Sequence, residues 1–314
     1  MLSQGDKTMA INLETFAKDL TYQADTSVRQ IFKDLKELAE IKQLAEQKVA
    51  YFSSWGSWVA VYNIFVMLVS FSAVTNFSSD GRSGGFIIMM FVIVILVSPT
   101  IFYYAKLSYY NKWKLRDDRC ELPKKILSMV NRDRTPNSNV KILIDFTPVG
   151  KMGKRIQTLP HPDPGKSRWN LEILEIFEDQ WLTLEGKFID SSNFCLTVTD
   201  LNRKASGFNS RGKFKSKYKD KGTDINLRLT FPSKKYGATN FLQQATQSAV
   251  KLPAGIGVQL KQIKVAGKAI DLTVNTPHFF KQEEMYQTIT MMFLSLYQIL
   301  NFAKLLSRKR QKLS

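Results

Sequence analysis

Between positions 11 and 48, apolar side chains recur every three or four residues: Ile31, Leu35, Leu38, Ile41, Leu44 and Ala45. Lys and Glu fill the gaps, and neither Pro nor Gly interrupts the run. This spacing predicts one amphipathic helix, folded onto its own domain or serving as a short coiled coil or docking helix. The pattern then loses its polar half. Residues 55–74 (WGSWVAVYNIFVMLVSFSAV) and 86–104 (FIIMMFVIVILVSPTIFYY) are apolar throughout. Each is about the 20 residues that cross a hydrocarbon core of about 30 Å. Tyr51, Trp55 and Trp58 border the first run, and Tyr103, Tyr104, Tyr109 and Tyr110 border the second, as aromatic side chains do at membrane interfaces. A polar turn, 76–85 (NFSSDGRSGG), joins the two, so the sequence predicts a transmembrane hairpin with both borders on one side.

From Val140 the period shifts to two. VKILIDF at 140–146 predicts a buried strand, followed by a Pro/Gly-rich loop at 148–165. RWNLEILEIFED at 168–179 fits either a strand or a helix. Leu182, Leu184 and Phe188 share one face of the next strand, and Phe194, Leu196 and Val198 share one face of its partner across the turn 190–193. A second hairpin is predicted from 213–219 and 224–231, turning at 220–223. Residues 240–250 read as a short helix, with two further strands at 257–265 and 269–275. In the last segment, 285–306, Ile289, Met292, Phe293, Leu296, Leu300 and Ala303 form one helical stripe. That helix either packs on the β-domain, lies in the membrane interface, or spans.

The expected fold class is therefore α+β: an amphipathic helical segment (1–50), a two-helix transmembrane hairpin (51–105), and a β-rich antiparallel domain (106–314) ending in an amphipathic helix at 281–306.

Charge sharpens this layout. No Asp, Glu, Lys or Arg occurs between Lys48 and Asp80 or between Arg82 and Lys106. The net charge of +18 resides almost entirely beyond the hairpin, where residues 106–314 hold 37 basic and 18 acidic side chains. Lys106, Lys112, Lys114, Arg116, Arg119, Lys124 and Lys125 follow the second span, whereas the hairpin loop offers Arg82 alone. The positive-inside rule then predicts a multi-pass protein with two spans and both termini in the cytoplasm. The densest run is Arg203, Lys204, Arg211, Lys213, Lys215, Lys217, Lys219 and Lys221, joined by Arg228 on the expected partner strand and by Arg308, Lys309 and Arg310 in the tail. Side chains two apart on a strand point the same way, so the lysines from 213 to 221 are expected to form one ridge. Such a ridge protects a strand edge, or holds an anionic lipid surface or acidic protein. A nucleic-acid partner is disfavoured because Phe214 and Tyr218 would lie behind the lysines instead of among them.

Chemistry is sparse. Gly165-Lys166-Ser167 lacks the glycine of a phosphate-binding loop, since Pro160 stands in its place. The 253–257 stretch (PAGIG) lacks the third glycine of a dinucleotide site. His161, His278, Cys120 and Cys195 are too scattered for a metal centre. Neither cysteine has a neighbouring histidine to activate it. Glu172, Glu175, Glu178, Asp179 and Glu185 are expected to pair with surface lysines. No catalytic residue, metal or cofactor is expected. The reading is a tethered, non-enzymatic binding or scaffold module engaging an acidic partner or anionic membrane. The alternatives are an accessory subunit of a membrane transport or assembly complex, docking through its N-terminal helix or self-associating, and a membrane-bound enzyme with an unconventional site.

Overall fold

The period-two segments become a single eight-stranded antiparallel sheet. The computed structural model describes residues 13–78, 84–135, 138–160, 169–209, 211–236, 250–253, 257–277 and 281–311. In chain order the strands are β1 (Thr21–Thr26), β2 (Val140–Asp145), β3 (Arg155–Pro160), β4 (Trp169–Lys187), β5 (Asn193–Asn209), β6 (Phe214–Thr230), β7 (Gln259–Ala266) and β8 (Ala269–Thr276). They are ordered β1-β2-β4-β5-β6-β8-β7, and β3 pairs with the far half of β4. The helices are α1 (Leu13–Asp19), α2 (Val28–Ser78), α3 (Gly84–Lys112), α4 (Asp117–Val130), α5 (Ser233–Tyr236) and α6 (Gln282–Gln311). The fold is thus α+β. It divides into two units, one of residues up to Leu35 together with those from Arg116 onward, the other running from Lys36 to Leu115.

In the first unit the sheet has one apolar and one polar face. Ile142, Ile144, Leu182, Leu184, Leu196, Val198, Leu227, Leu229, Leu272 and Val274 are fully or almost fully buried on the apolar side. Leu122, Ile126 and Leu127 of α4 and Ile289, Met292, Leu296 and Leu300 of α6 are buried as well. Each such side chain contributes roughly 1.5–3 kcal/mol by leaving water. Although Gln282–Leu306 is long and apolar enough to cross a membrane, 44% of its apolar window is buried, and its stripe packs against α4 and the sheet. The polar face carries cross-strand rows instead. One runs Asp25, Lys141, Glu185, Cys195, Arg228, Asp271, Lys264 across all seven strands of the path. Alternating charge between neighbours is the favourable arrangement for such a ladder.

In the second unit, α2 and α3 run antiparallel. Asn63 Nδ2 donates to Thr100 Oγ1 at 3.1 Å, and Phe52 stacks on Tyr110 with ring centroids 5.7 Å apart. Gly56 lets the helices approach, since a Cβ there would lie 2.7 Å from the Tyr103 hydroxyl. Trp58, Ile64, Phe65, Met67, Leu68, Ile101 and Phe102 are exposed. Residues Val28–Val69 are long and apolar enough to cross a membrane, with none of their apolar window buried.

Four expectations are corrected. The predicted helix over 11–48 is broken by strand β1. Leu20 takes a left-handed φ of 51° that ends α1, and Ser27 Oγ accepts the Gln30 N–H at 3.4 Å to start α2. Within this stretch Tyr22, Ala24 and Thr26 alternate with Gln23 and Asp25, a period of two that the stronger helical signal on either side conceals. Second, 169–179 takes the strand alternative, but as part of one 19-residue strand with the segment after it instead of a separate element, because a bulge at Trp181 lets the chain keep its pairing. Third, 220–223 is no turn: β6 is continuous through it. Fourth, the 148–165 loop contains β3, while α4 emerges from the charged stretch after the second apolar helix. The expected helix at 240–250 lies outside the described residues, apart from Val250.

Candidate functional site

The lysine run is carried by a ribbon that β4, β5 and β6, with β3 along β4, extend beyond the rest of the sheet. Strand β8 pairs with β6 from Thr223 to Thr230, so Phe214–Lys221 has β5 on one side and is an edge on the other among the described strands. Every residue from 214 to 221 is exposed.

Two neighbouring bulges set the direction of the side chains. Asp200 pairs with Thr223 and Asn202 with Asp220, leaving one extra residue of β6 at Lys221-Gly222. Gly222 has φ +95°, and a Cβ there would lie 2.0 Å from the Thr276 carbonyl oxygen. On the other side of β5, Gln180 pairs with Thr199 and Leu182 with Val198, so Trp181 is the extra residue of β4. The β6 bulge shifts the inside-outside parity. Ile225 and Leu227 face the core, and the even positions Asn226 and Arg228 face outward; beyond the bulge the odd positions Lys215, Lys217 and Lys219 face outward. If β6 ran through 220–223 in regular alternation, with every residue paired and no bulge, those lysines would turn to the core side.

On the outer face Lys215 lies opposite Gly207, Lys217 opposite Ala205 and Lys219 opposite Arg203. Arg203 and Lys219 crowd Lys221 enough to push its pKa below the ordinary lysine value. Arg211 and Lys213 sit in the turn between β5 and β6, where Gly212 supplies a φ of +70°. Arg228 shares the outer face and reaches Asp271 at 3.6 Å. Lys204 departs from the ridge. It belongs to the opposite face, 2.9 Å from Glu175 and 5.8 Å from the Tyr218 ring centroid. Glu175 also pairs with Arg155 at 2.6 Å, and these two partners hold its carboxyl below the usual range. Phe208 and Phe214 meet on this same inner face, their rings edge to face at 5.4 Å. The Arg308, Lys309 and Arg310 positions fall in the last turns of α6, and their side chains lie outside the described residues.

Sequence reasoning missed a buried ion cluster beside the bulges. Arg119 Nη2 donates to Asp179 Oδ2 at 2.5 Å and lies 3.5 Å from Asp200 Oδ2. Lys154 Nζ bridges Asp179 at 2.5 Å and Asp145 at 2.9 Å, and Arg116 Nη1 meets Asp200 at 3.1 Å. Trp181 Nε1 and Thr223 Oγ1 also donate to Asp200. Burial pushes the Asp200 pKa up in spite of Arg116 and Arg119. Arg116 also pairs with Asp118 at 2.5 Å, so three cations face four carboxylates, and the cluster binds the start of α4 to the sheet.

No group of metal-ligating side chains occurs among the described residues. Cys195 Sγ lies 3.8 Å from Glu185 Oε1, and burial with that carboxylate pushes the thiol's pKa up, away from the reactive thiolate. Cys120 is buried. His161, Gly165-Lys166-Ser167, residues 254–256 and His278 lie outside the described residues. The chain matches no family model, no curated protein and no solved structure.

Proposed function

We propose that the chain is a membrane-anchored, non-enzymatic binding module whose basic ribbon docks on an anionic membrane surface. The apolar parts of α2 and α3 cross the bilayer as a hairpin, with the β-domain and both tails on the cytoplasmic side. Support for the anchor comes from the large apolar side chains left exposed on both helices, a surface that water does not tolerate over such an area. The observation that carries the docking is the outward row of Lys215, Lys217 and Lys219 with Arg203 beside it. Lysine on a strand edge also blocks edge-to-edge pairing. One or two charges suffice for that. The crowding felt by Lys221 is a standing repulsion, and a facing layer of anions relieves it.

Each cation held near an anionic leaflet contributes on the order of 1 kcal/mol. Replacing Lys215, Lys217 and Lys219 by Gln should therefore weaken docking by at most roughly 3 kcal/mol, about two orders of magnitude, the full figure requiring all three to lie within a Debye length of the surface. The direct test is lysine acetylation of the full chain in lipid nanodiscs. With an anionic lipid present, the ribbon lysines should react several-fold more slowly than in neutral discs. The electrostatic part of that protection should fade near 1 M salt, where the Debye length is about 3 Å. Equal rates in neutral and anionic discs at low salt would sink the reading.

A further inference from the structure

The tip of the ribbon carries apolar surface that the lysine ridge does not explain. Phe208 and Phe214 are 49% and 59% exposed, and they face each other across the last pair of β5 and β6. Between them the chain turns through Arg211, Gly212 and Lys213, and around Gly212 there is open space. Tyr218, farther back on the same face, has its hydroxyl against Gly150, so the loop before β3 covers part of it. The phenylalanine pair lies beyond that loop. Phe214 is seven residues from the bulge, about 24 Å along an extended strand.

An aromatic cross-strand pair stabilises a hairpin, yet at the end of a projecting ribbon it also exposes two large rings bordered by cations. This composition fits the boundary between lipid head groups and acyl chains, where amphipathic elements sink about 5–10 Å with basic residues at phosphate level. We infer that the β5–β6 tip is a membrane-inserting wedge: Phe208 and Phe214 enter the head-group and acyl boundary of an anionic bilayer, with Arg211, Lys213 and Lys215 at the phosphates. The inference rests on the membrane reading proposed above and adds an orientation to it. The rings and the lysines occupy opposite faces of the ribbon, so a ribbon lying flat on its lysines would hold the rings away from lipid. Entry by the tip brings both in. Lys217 then sits roughly 10 Å behind Phe214, and Lys219 roughly 17 Å, the latter beyond one Debye length of about 10 Å at 0.1 M salt.

Two outcomes follow for the full chain in anionic nanodiscs. Protection from acetylation should be graded, strongest at Lys213 and Lys215 and weaker at Lys219 and Lys221. Part of it should survive about 1 M salt because ring insertion is not screened. The double variant Phe208→Thr, Phe214→Thr keeps β-forming residues at both positions. It should lose the salt-resistant part, with a several-fold rise in labelling of Lys213 at high salt, while retaining protection at low salt. Uniform protection along the ribbon, or a double variant indistinguishable from the parent at high salt, overturns the wedge and leaves the electrostatic docking standing. Absence of protection at any salt removes both. Protection that needs a protein from the native membrane and fails with pure lipid overturns the wedge in favour of a protein partner.

Discussion

At the scale of single residues, the side chains that matter most to stability are charged and buried. Arg119 and Asp179 are 1% and 0% exposed as side chains. Removing one member of such a pair leaves the other uncompensated in a medium that solvates it poorly. Arg119→Met should destabilise the chain by about 3–5 kcal/mol in a denaturant titration; a loss below about 1 kcal/mol would mean that Lys154 alone satisfies Asp179. Acid behaviour follows from Asp190. Burial raises its pKa, but hydrogen bonds from Ser192 and Tyr236, both at 2.5 Å, outweigh burial and leave it below the ordinary aspartate value. A carboxyl depressed in the folded state stabilises above the unfolded value, near pH 4, and loses that contribution as pH falls through the folded value. Asp190→Asn should therefore lower the thermal midpoint at neutral pH and flatten its decline below about pH 4. Asp200, pushed up by burial, acts in the opposite sense and gains stability as pH falls through its folded value. None of these partners was legible in the sequence. Asp179 reads as a surface acid beside Glu178, and its partners lie 60 and 25 residues away, brought to it by the packing of α4 and of the turn before β3 on the sheet.

At the scale of elements, legibility tracked how long a period persisted. The turn 190–193, strands β2 and β8 and the stripe of α6 were readable because alternation or helical spacing ran unbroken; β7 was readable in spite of an irregularity between Leu260 and Gln262. Strand β1 was hidden between helices, and the bulged strands were cut in two because each bulge shifts the phase of the alternation. Asp220-Lys221-Gly222-Thr223 has turn composition, yet the same glycine serves a positive φ inside β6. Gly222→Ala should cost more than about 2 kcal/mol, combining a left-handed conformation with a backbone contact. An unchanged urea midpoint would show that the bulge relocates. Between α2 and α3, replacing Asn63 by Leu removes the hydrogen bond to Thr100 and should weaken helix association by roughly 1 kcal/mol, read as a lower detergent-denaturation midpoint.

At the scale of the whole molecule, composition was the most informative signal. Two charge-free runs precede a region of strong positive charge; both runs lie in the unit from Lys36 to Leu115, which begins inside the amphipathic part of α2, while the residues up to Leu35 join the basic region in the other unit. Topology is open to a direct check. In a Cys120→Ser, Cys195→Ser background, a single cysteine at Ser79 should react with an impermeant thiol reagent from the face opposite to one placed at Lys219; reaction from the same face would exclude the hairpin. The extra residue in β6 also bears on how this protein can vary. Thr223 and Asp220 face the same way only because two residues lie between them where a regular strand would hold one. Deleting Lys221 would therefore leave the remaining lysines pointing outward and merely straighten the ribbon. Deleting one residue between 215 and 219 would instead reverse everything beyond it, sending cations to the aromatic side. Length variation at a single position would keep the facing of the remaining charges, while the same change a few residues away would invert the surface, so insertions and deletions separate the ribbon's bend from its polarity in a way substitutions do not.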